Sequence, residues 1–302
     1  MSKHILITGG SGMIGMKLSG LLMEKGYSVA HLARSKNNDS PYQQFEWDID
    51  KAYLEEGALE FADIIIHLAG AGVADKRWTE NRKKVIIESR TKTAELLYNK
   101  LKESSNHRLK RFISASAIGY YGMYTGDELL PEDHKPGEDF LAEVVQKWEA
   151  AADQFTDLQI PVSKLRVGVV LAKEGGALPQ LAKPIKFGVG AALGSGQQYM
   201  SWVHIDDICH MFLHLLETEA VGVYNGVAPR PVTNKAMTKA VANKLNKPLW
   251  LPNVPGFVMK LALGEMAGIV LGGNKVSSEK LEQTGYKFQF AELDNALDDI
   301  YN

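Results

Sequence analysis

His4-Ile5-Leu6-Ile7-Thr8-Gly9-Gly10-Ser11-Gly12-Met13-Ile14-Gly15 is the stretch on which the fold turns. Its first five residues are an apolar run closed by glycines, the pattern of a short strand buried on both faces of a parallel sheet. From Ile14 onward Leu18, Leu21 and Leu22 recur at helical spacing, and Gly26 stands just past that helix, where a left-handed cap costs little. Tyr27 to Ala33 makes a second strand. Strand, glycine loop, helix and strand together span about thirty residues, the size of a right-handed crossover. In such a unit Gly9 permits the tight turn, Gly12 lets the backbone approach a pyrophosphate, and Gly15 lets helix and strand pack closely. The free amides at the helix N-terminus then receive the phosphates, so the loop predicts a dinucleotide site.

The end of the second strand refines that prediction. A site for NAD places Asp or Glu there, to bond the ribose 2′-hydroxyl. Here Arg34 stands in that position, followed by Ser35 and Lys36. A guanidinium and a hydroxyl suit a 2′-phosphate, so the cofactor implied is NADP(H); a solvated basic turn is the bland alternative.

Further along, Gln44 to Trp47 and Ala62 to Leu68 read as strands, and Val85, Ile86, Leu96, Leu97 and Leu101 give a long helix its apolar stripe, with Thr79 as N-cap. Arg111 to Ser116 is the next strand, a helix follows from Asp139 to Asp153, and Pro161 to Leu171 reads as one more strand. The alternation predicts an α/β fold: a Rossmann-type doubly wound parallel sheet over residues 1–171, to which 200–230 returns, with a smaller, mostly helical substrate domain over 172–302. In that second part, Gly175 to Gly196 reads as a glycine-rich stretch, and the apolar segment Leu261 to Leu271 as a buried or interface helix.

Composition narrows the partners. The 302 residues carry a formal net charge of −2 and no polybasic run, which argues against nucleic acid and anionic lipid. No stretch reaches the roughly 18 apolar residues of a membrane span, and a strand begins directly after Met1-Ser2-Lys3, so a cytoplasmic protein is expected. The single cysteine, Cys209, fits a reducing compartment, and no metal-ligand spacing is present.

Thr8 to Gly15, His67-Leu68-Ala69-Gly70, the serine-rich strand leading to Tyr121-Gly122, and Trp202-Val203-His204-Ile205-Asp206-Asp207 occur in this order. Together they resemble the extended short-chain dehydrogenase/reductase superfamily of NAD-dependent epimerases and dehydratases. Asp75-Lys76-Arg77-Trp78-Thr79, Ser114 to Gly122 and Leu193-Gly194-Ser195-Gly196 are similar to its "epimerase family protein" subgroup, some of whose members carry sugar-nucleotide epimerase labels and others cell-division inhibitor labels. The resemblance implies that Gly9, Gly12, Met13 and Ile14 line the pyrophosphate, Arg34 the 2′-phosphate, and Leu68, Ala69 and Gly70 the adenosine ribose. It adds Arg90 and Val169 as further cofactor contacts, a surface ion pair being the alternative for Arg90. Superfamily members often form homodimers through helices flanking the fourth and fifth strands; the residues alone leave the oligomeric state open.

The resemblance breaks at the chemistry. The superfamily's proton-moving tyrosine, and the lysine four residues later, belong on the helix after the serine-rich strand. In this chain those positions fall at or within a residue of Leu141 and Val145, neither of which can exchange a proton. The substrate-orienting serine aligns with Ala117, leaving Ser116 one residue away and on the opposite face of a regular strand. Ser116, if a bulge turns it to the site, and Tyr121 remain as candidate catalytic groups, with packing against the nicotinamide end or the core as the alternative for Tyr121. Where sugar-nucleotide enzymes carry an arginine for the diphosphate, Met200-Ser201 stands, so the substrate is not specified. His204 and Asp206 read as structural, with Asp206 as cap of the next helix. Lys76 and Arg77 suit an anionic small molecule, and Trp78 either stacks on it or packs in the core. Two classes of function follow: an NADP(H)-dependent oxidoreductase or epimerase with an unconventional proton donor, or a protein that senses NADP(H) without turnover.

Overall fold

The computed structural model describes residues 3–104 and 106–302. The glycine unit forms as expected, with β1 (His4–Thr8), α1 (Met13–Glu24) and β2 (Ser28–Ala33). Then come β3 (Gln43–Asp48), β4 (Tyr53–Leu54), α2 (Ala58–Phe61) and β5 (Ile64–His67). The long helix α3 (Glu80–Glu103) starts where Thr79 Oγ1 accepts the Arg82 amide. It is followed by β6 (Arg111–Ala117), β7 (Tyr124–Leu130), α4 (Phe140–Asp153) capped by Asp139, and β8 (Val162–Val167). The second half runs β9 (Val169–Leu171), α5 (Leu178–Lys186), β10 (Tyr199–Met200), β11 (Trp202–His204), α6 (Ile205–Glu217) and β12 (Gly222–Gly226). It closes with β13 (Val232–Thr233), α7 (Asn234–Lys244), α8 (Gly256–Leu263), α9 (Gly268–Leu271), β14 (Gly273–Val276), α10 (Glu279–Gln283) and α11 (Leu293–Tyr301).

Eight strands form the main sheet in the order β12-β8-β6-β5-β1-β2-β3-β4, all pairs parallel except β3 with β4. Strand alternation explains the two helical layers. Ile5, Ile7, Ile64 and Ile66 pack with Leu18 and Leu22 of α1 and Ile208 and Phe212 of α6 on one face. Leu6, Ile65 and Phe112 pack with Leu97 and Leu101 of α3 and with Phe155 on the other, where Phe112 and Phe155 stack at 3.8 Å. A separate core joins α5, α7 and α11 around Trp202, through residues such as Ile185, Met237 and Leu297. Trp78, Ile86 and Phe140 meet Met266 in a fourth cluster that fastens the C-terminal segment to the sheet's helices.

Three expectations are corrected. The strand read from Pro161 to Leu171 breaks at Gly168, whose added Cβ would sit 2.5 Å from the Ser201 carbonyl oxygen; beyond it β9 leaves the main sheet to pair with β11. The glycine-rich stretch contains a helix, α5, because Leu178, Ala182 and Ile185 lie one or two turns apart and are buried together, while Pro179 falls where its missing N–H has no helical partner to lose. The apolar run from Leu261 to Leu271 is broken at Gly264, whose φ of +62° ends α8, and α8 buries none of its residues. Among the described residues no helix is long and apolar enough to cross a membrane.

Candidate functional site

The C-terminal edge of the main sheet is built around the glycine loop. Gly9 has φ +68°, and a Cβ there would lie 2.9 Å from the Leu68 carbonyl carbon; at Gly15 it would lie 2.4 Å from the Gly9 carbonyl oxygen. Gly10, which sequence reasoning passed over, is equally constrained: its Cβ would fall 2.4 Å from the His31 ring. That ring is buried and bonded through Nε2 to Ser19 Oγ at 2.8 Å, and burial pulls its pKa down to about 4, so it is neutral packing at pH 7. Gly12 is the N-cap of α1 and supplies no side-chain capping hydrogen bond, and its Cβ would meet only the Gly9 oxygen, at 3.2 Å. The amides that open α1, at Met13 and Ile14, therefore keep the free helix terminus that a phosphate needs.

A second loop is held against the first. Thr8 Oγ1 accepts the Leu68 and Ala69 amides at 3.1 Å each and donates to His67 Nδ1 at 2.9 Å. His67 is fully buried and held neutral, its pKa down at about 4 by desolvation. Arg34 is exposed at the end of β2 and joins no ion pair among the described residues, whereas Lys36 is tied to Glu55 at 2.6 Å. Arg90 is not the surface ion pair offered as its alternative. Its side chain is buried and pairs with no carboxylate among the described residues; Nη1 donates to the Ile86 carbonyl at 2.8 Å, and the guanidinium lies 4.9 Å from the Trp148 ring. A Cβ on Gly70 would lie 3.0 Å from the Arg90 guanidinium carbon. Burial first, then the neighbouring Arg82 charge, pull its pKa down to about 10, which leaves it cationic. Val169 lies in β9, half-buried, its amide on the Ser201 carbonyl at 2.8 Å.

Beyond β6 the polar groups turn inward. Leu141 and Val145 face the chain just past the strand, their side chains 3.3 and 3.6 Å from where a Cβ on Gly119 would be. The ladder runs without a bulge to Ser116 opposite Arg166 and Ala117 opposite Val167. Ser116 Oγ donates to Glu149 Oε1 at 2.6 Å, and Arg166 grips both oxygens of Glu149 at 2.8 and 3.0 Å. Arg166 Nη1 also donates to the Tyr121 hydroxyl at 3.0 Å, which in turn donates to Asn225 Oδ1 at 2.8 Å. Burial pushes the Tyr121 pKa up to about 12, against the Arg166 charge. Ser116 and Tyr121 are thus both buried and both bonded within one network.

The remaining loops are placed by packing. Trp78 is buried edge-on against Phe140, its Nε1 on the Val73 carbonyl at 2.8 Å, so it belongs to the core. Lys76 and Arg77 are exposed and form no ion pair among the described residues. Asp206 does not cap α6; His204 does, with Nδ1 accepting the Asp206 amide at 3.2 Å, and Asp206 pairs with Lys17 instead.

A doubly wound parallel sheet with an open glycine loop at its carboxyl edge defines a Rossmann-type protein that binds a nicotinamide dinucleotide. The NAD dependent epimerase/dehydratase family matches residues 5–226, and a domain of unknown function, DUF1731, matches residues 254–300. An epimerase family protein of Staphylococcus saprophyticus is 37% identical over 314 residues, covering 99% of both chains, and one of Staphylococcus aureus is 35% identical over 309 residues with the same coverage. The crystal structure of human epimerase family protein SDR39U1 with NADPH superposes with a TM-score of 0.87 at 31% identity, covering 98% of each chain. A nucleoside-diphosphate sugar epimerase from Corynebacterium glutamicum matches with a TM-score of 0.80 at 30% identity, covering all of this chain and 58% of that one. The chain belongs to the NAD dependent epimerase/dehydratase family, among the extended short-chain dehydrogenase/reductases.

Proposed function

We propose that the protein is an NADP(H)-dependent oxidoreductase or epimerase of a small, polar, anionic substrate. The observation that carries this reading is the pairing of an uncapped α1 N-terminus with an exposed cation, Arg34, that joins no ion pair among the described residues, where an NAD site would hold a carboxylate. The bound cofactor would accept or deliver a hydride; the chain's residues hold it in place. Gly9, Gly12, Met13 and Ile14 receive the pyrophosphate, Arg34 the 2′-phosphate, Leu68, Ala69 and Gly70 the ribose, with Arg90 as a buried positive charge behind Gly70. Val169 lies along the nicotinamide end.

On the substrate side, Lys76 and Arg77 attract negative charge, and an apolar floor at Leu141 and Val145 lacks a proton-moving pair. In this reading Ser116 and Tyr121 brace that floor through Glu149, Arg166 and Asn225, and the proton passes through the substrate's own groups or solvent. The human relative was solved with NADPH, which supports the same cofactor here. Titration of NADPH and NADH by nicotinamide fluorescence tests it. Arg34→Glu is expected to weaken NADPH by roughly 10- to 100-fold, the worth of about 1.4 to 2.7 kcal/mol in a charge-assisted contact, and to leave NADH unchanged or tighter. Equal affinity for both cofactors in the unaltered protein would refute the assignment.

A further inference from the structure

Charge is distributed unevenly along this chain. Residues 175–205 and 220–264 contain eight lysines and arginines and no aspartate or glutamate, in a protein whose overall charge is −2. Arg230 pairs with Glu292 and Lys244 with Asp298. Lys183, Lys186, Lys235, Lys239, Lys247 and Lys260 are all exposed, and none forms an ion pair among the described residues.

The same segments carry the most exposed apolar side chains of the molecule. Phe257 and Leu261, one turn apart on α8, are 72% and 81% exposed, Trp250 is 69% and Phe187 is 76%. Folding brings their segments together. Trp250 Nε1 donates to the Gly188 carbonyl at 2.9 Å, and the Val254 amide to the Ala192 carbonyl at 2.8 Å, so the turn after α5 runs beside the stretch that leads into α8. A cavity of about 380 Å³ between Ser195, Phe257, Lys260 and Leu271 continues this surface.

From this geometry we infer that the surface docks on a bilayer containing anionic phospholipid. Aromatic and leucine side chains standing clear of the fold, on segments that carry lysines without ion pairs among the described residues and no acids, match the two components of such an interface: shallow apolar insertion and attraction to negative headgroups. No consecutive run of basic residues announces the surface, and so sequence reasoning set lipid aside; the lysines come from α5, α7, the following loop and α8. A second copy of the chain fits less well, because two such faces would oppose like charges.

Trp250 provides the readout, since the other four tryptophans, Trp47, Trp78, Trp148 and Trp202, are buried. With vesicles of phosphatidylcholine and phosphatidylglycerol, its emission is expected to shift to the blue and the protein to co-sediment. Pure phosphatidylcholine should give neither effect, and roughly 1 M salt, which cuts the screening length to about 3 Å, should reverse binding. Phe257→Ser with Leu261→Ser should weaken partitioning by at least about tenfold, and Lys183→Glu with Lys186→Glu and Lys247→Glu should weaken it comparably. NADPH affinity and the melting curve, measured alongside, show that these variants are folded. Three results would each overturn the inference: no association with anionic vesicles, equal association with neutral ones, or binding that survives both sets of substitutions. Self-association abolished by the serine pair, without vesicle binding, would assign the face to a second copy instead.

Discussion

The glycine loop and the floor beyond β6 lie at the carboxyl edge of one sheet, two strand positions apart in its order with β5 between them, and they are built on opposite principles. Around the loop, backbone groups face outward: Gly9, Gly10 and Gly15 are pinned by neighbouring atoms, while the amides that open α1 keep no side-chain partner. Across the floor, side-chain polar groups face inward, so that Ser116, Tyr121, Glu149, Arg166 and Asn225 satisfy one another out of solvent. The loop is arranged to bind what the chain does not contain. The floor is arranged to hold the fold.

The largest effect that sharpens this contrast is expected at Gly15. A valine there puts Cβ 2.4 Å from the Gly9 oxygen and 2.7 Å from the Gly10 Cα, and both are backbone atoms that cannot rotate away. The loop must open, and NADPH affinity should fall by at least about a hundredfold in a fluorescence titration, the loss of several phosphate contacts at once. Retained affinity would mean that the cofactor does not sit on this loop.

A smaller effect comes from acid. His31 under Gly10 and His67 under Leu68 both have folded pKa values near 4, below the usual 6.5. The unfolded chain therefore binds more protons between these values, so each histidine's contribution is full above about pH 6.5 and is lost as pH falls toward 4. The unfolding free energy from urea titrations should be lower at pH 5 than at pH 7 by about 2 kcal/mol per histidine, as an order of magnitude. A flat profile over that window would show that the two rings are not sealed beneath the loops, and that the cofactor end is looser than the floor.

What was legible in the sequence follows the same division. The loop could be read because glycine spacing, strand and helix are local, and Arg34 stands at a fixed distance along the chain from them. Thr79 as a helix cap was legible for the same reason, and Asp139, read only as the start of its helix, proves to be that helix's cap. The floor was not, because Glu149 and Arg166 become partners only when α4 lies across β8, and nothing in their separation along the chain says so. Gly168 ends a strand because Ser201, thirty-three residues away, occupies the space a side chain would need. For Arg90 the sequence offered a cofactor contact or a surface ion pair, and its burial against Trp148 of α4 could be read from neither.

The smallest expected effect tests the floor itself. Tyr121→Phe removes a hydroxyl that accepts from Arg166 and donates to Asn225, leaving Asn225 Oδ1 buried without that donor. Arg166 keeps Glu149 and the Glu132 carbonyl, and the Asn225 amide nitrogen keeps the Leu130 and Ser277 carbonyls, so the network loses one link and not its frame. An unsatisfied buried acceptor costs roughly 1–3 kcal/mol, so thermal unfolding should shift down by several degrees, with NADPH affinity unchanged. A proton-moving tyrosine would give the reverse pattern: unchanged melting, and turnover lost once a substrate is in hand. The present geometry argues for the first outcome, because a hydroxyl with a pKa raised to about 12, sealed between an arginine and an asparagine, has neither the exposure nor the acidity to exchange a proton with a bound carbonyl at pH 7.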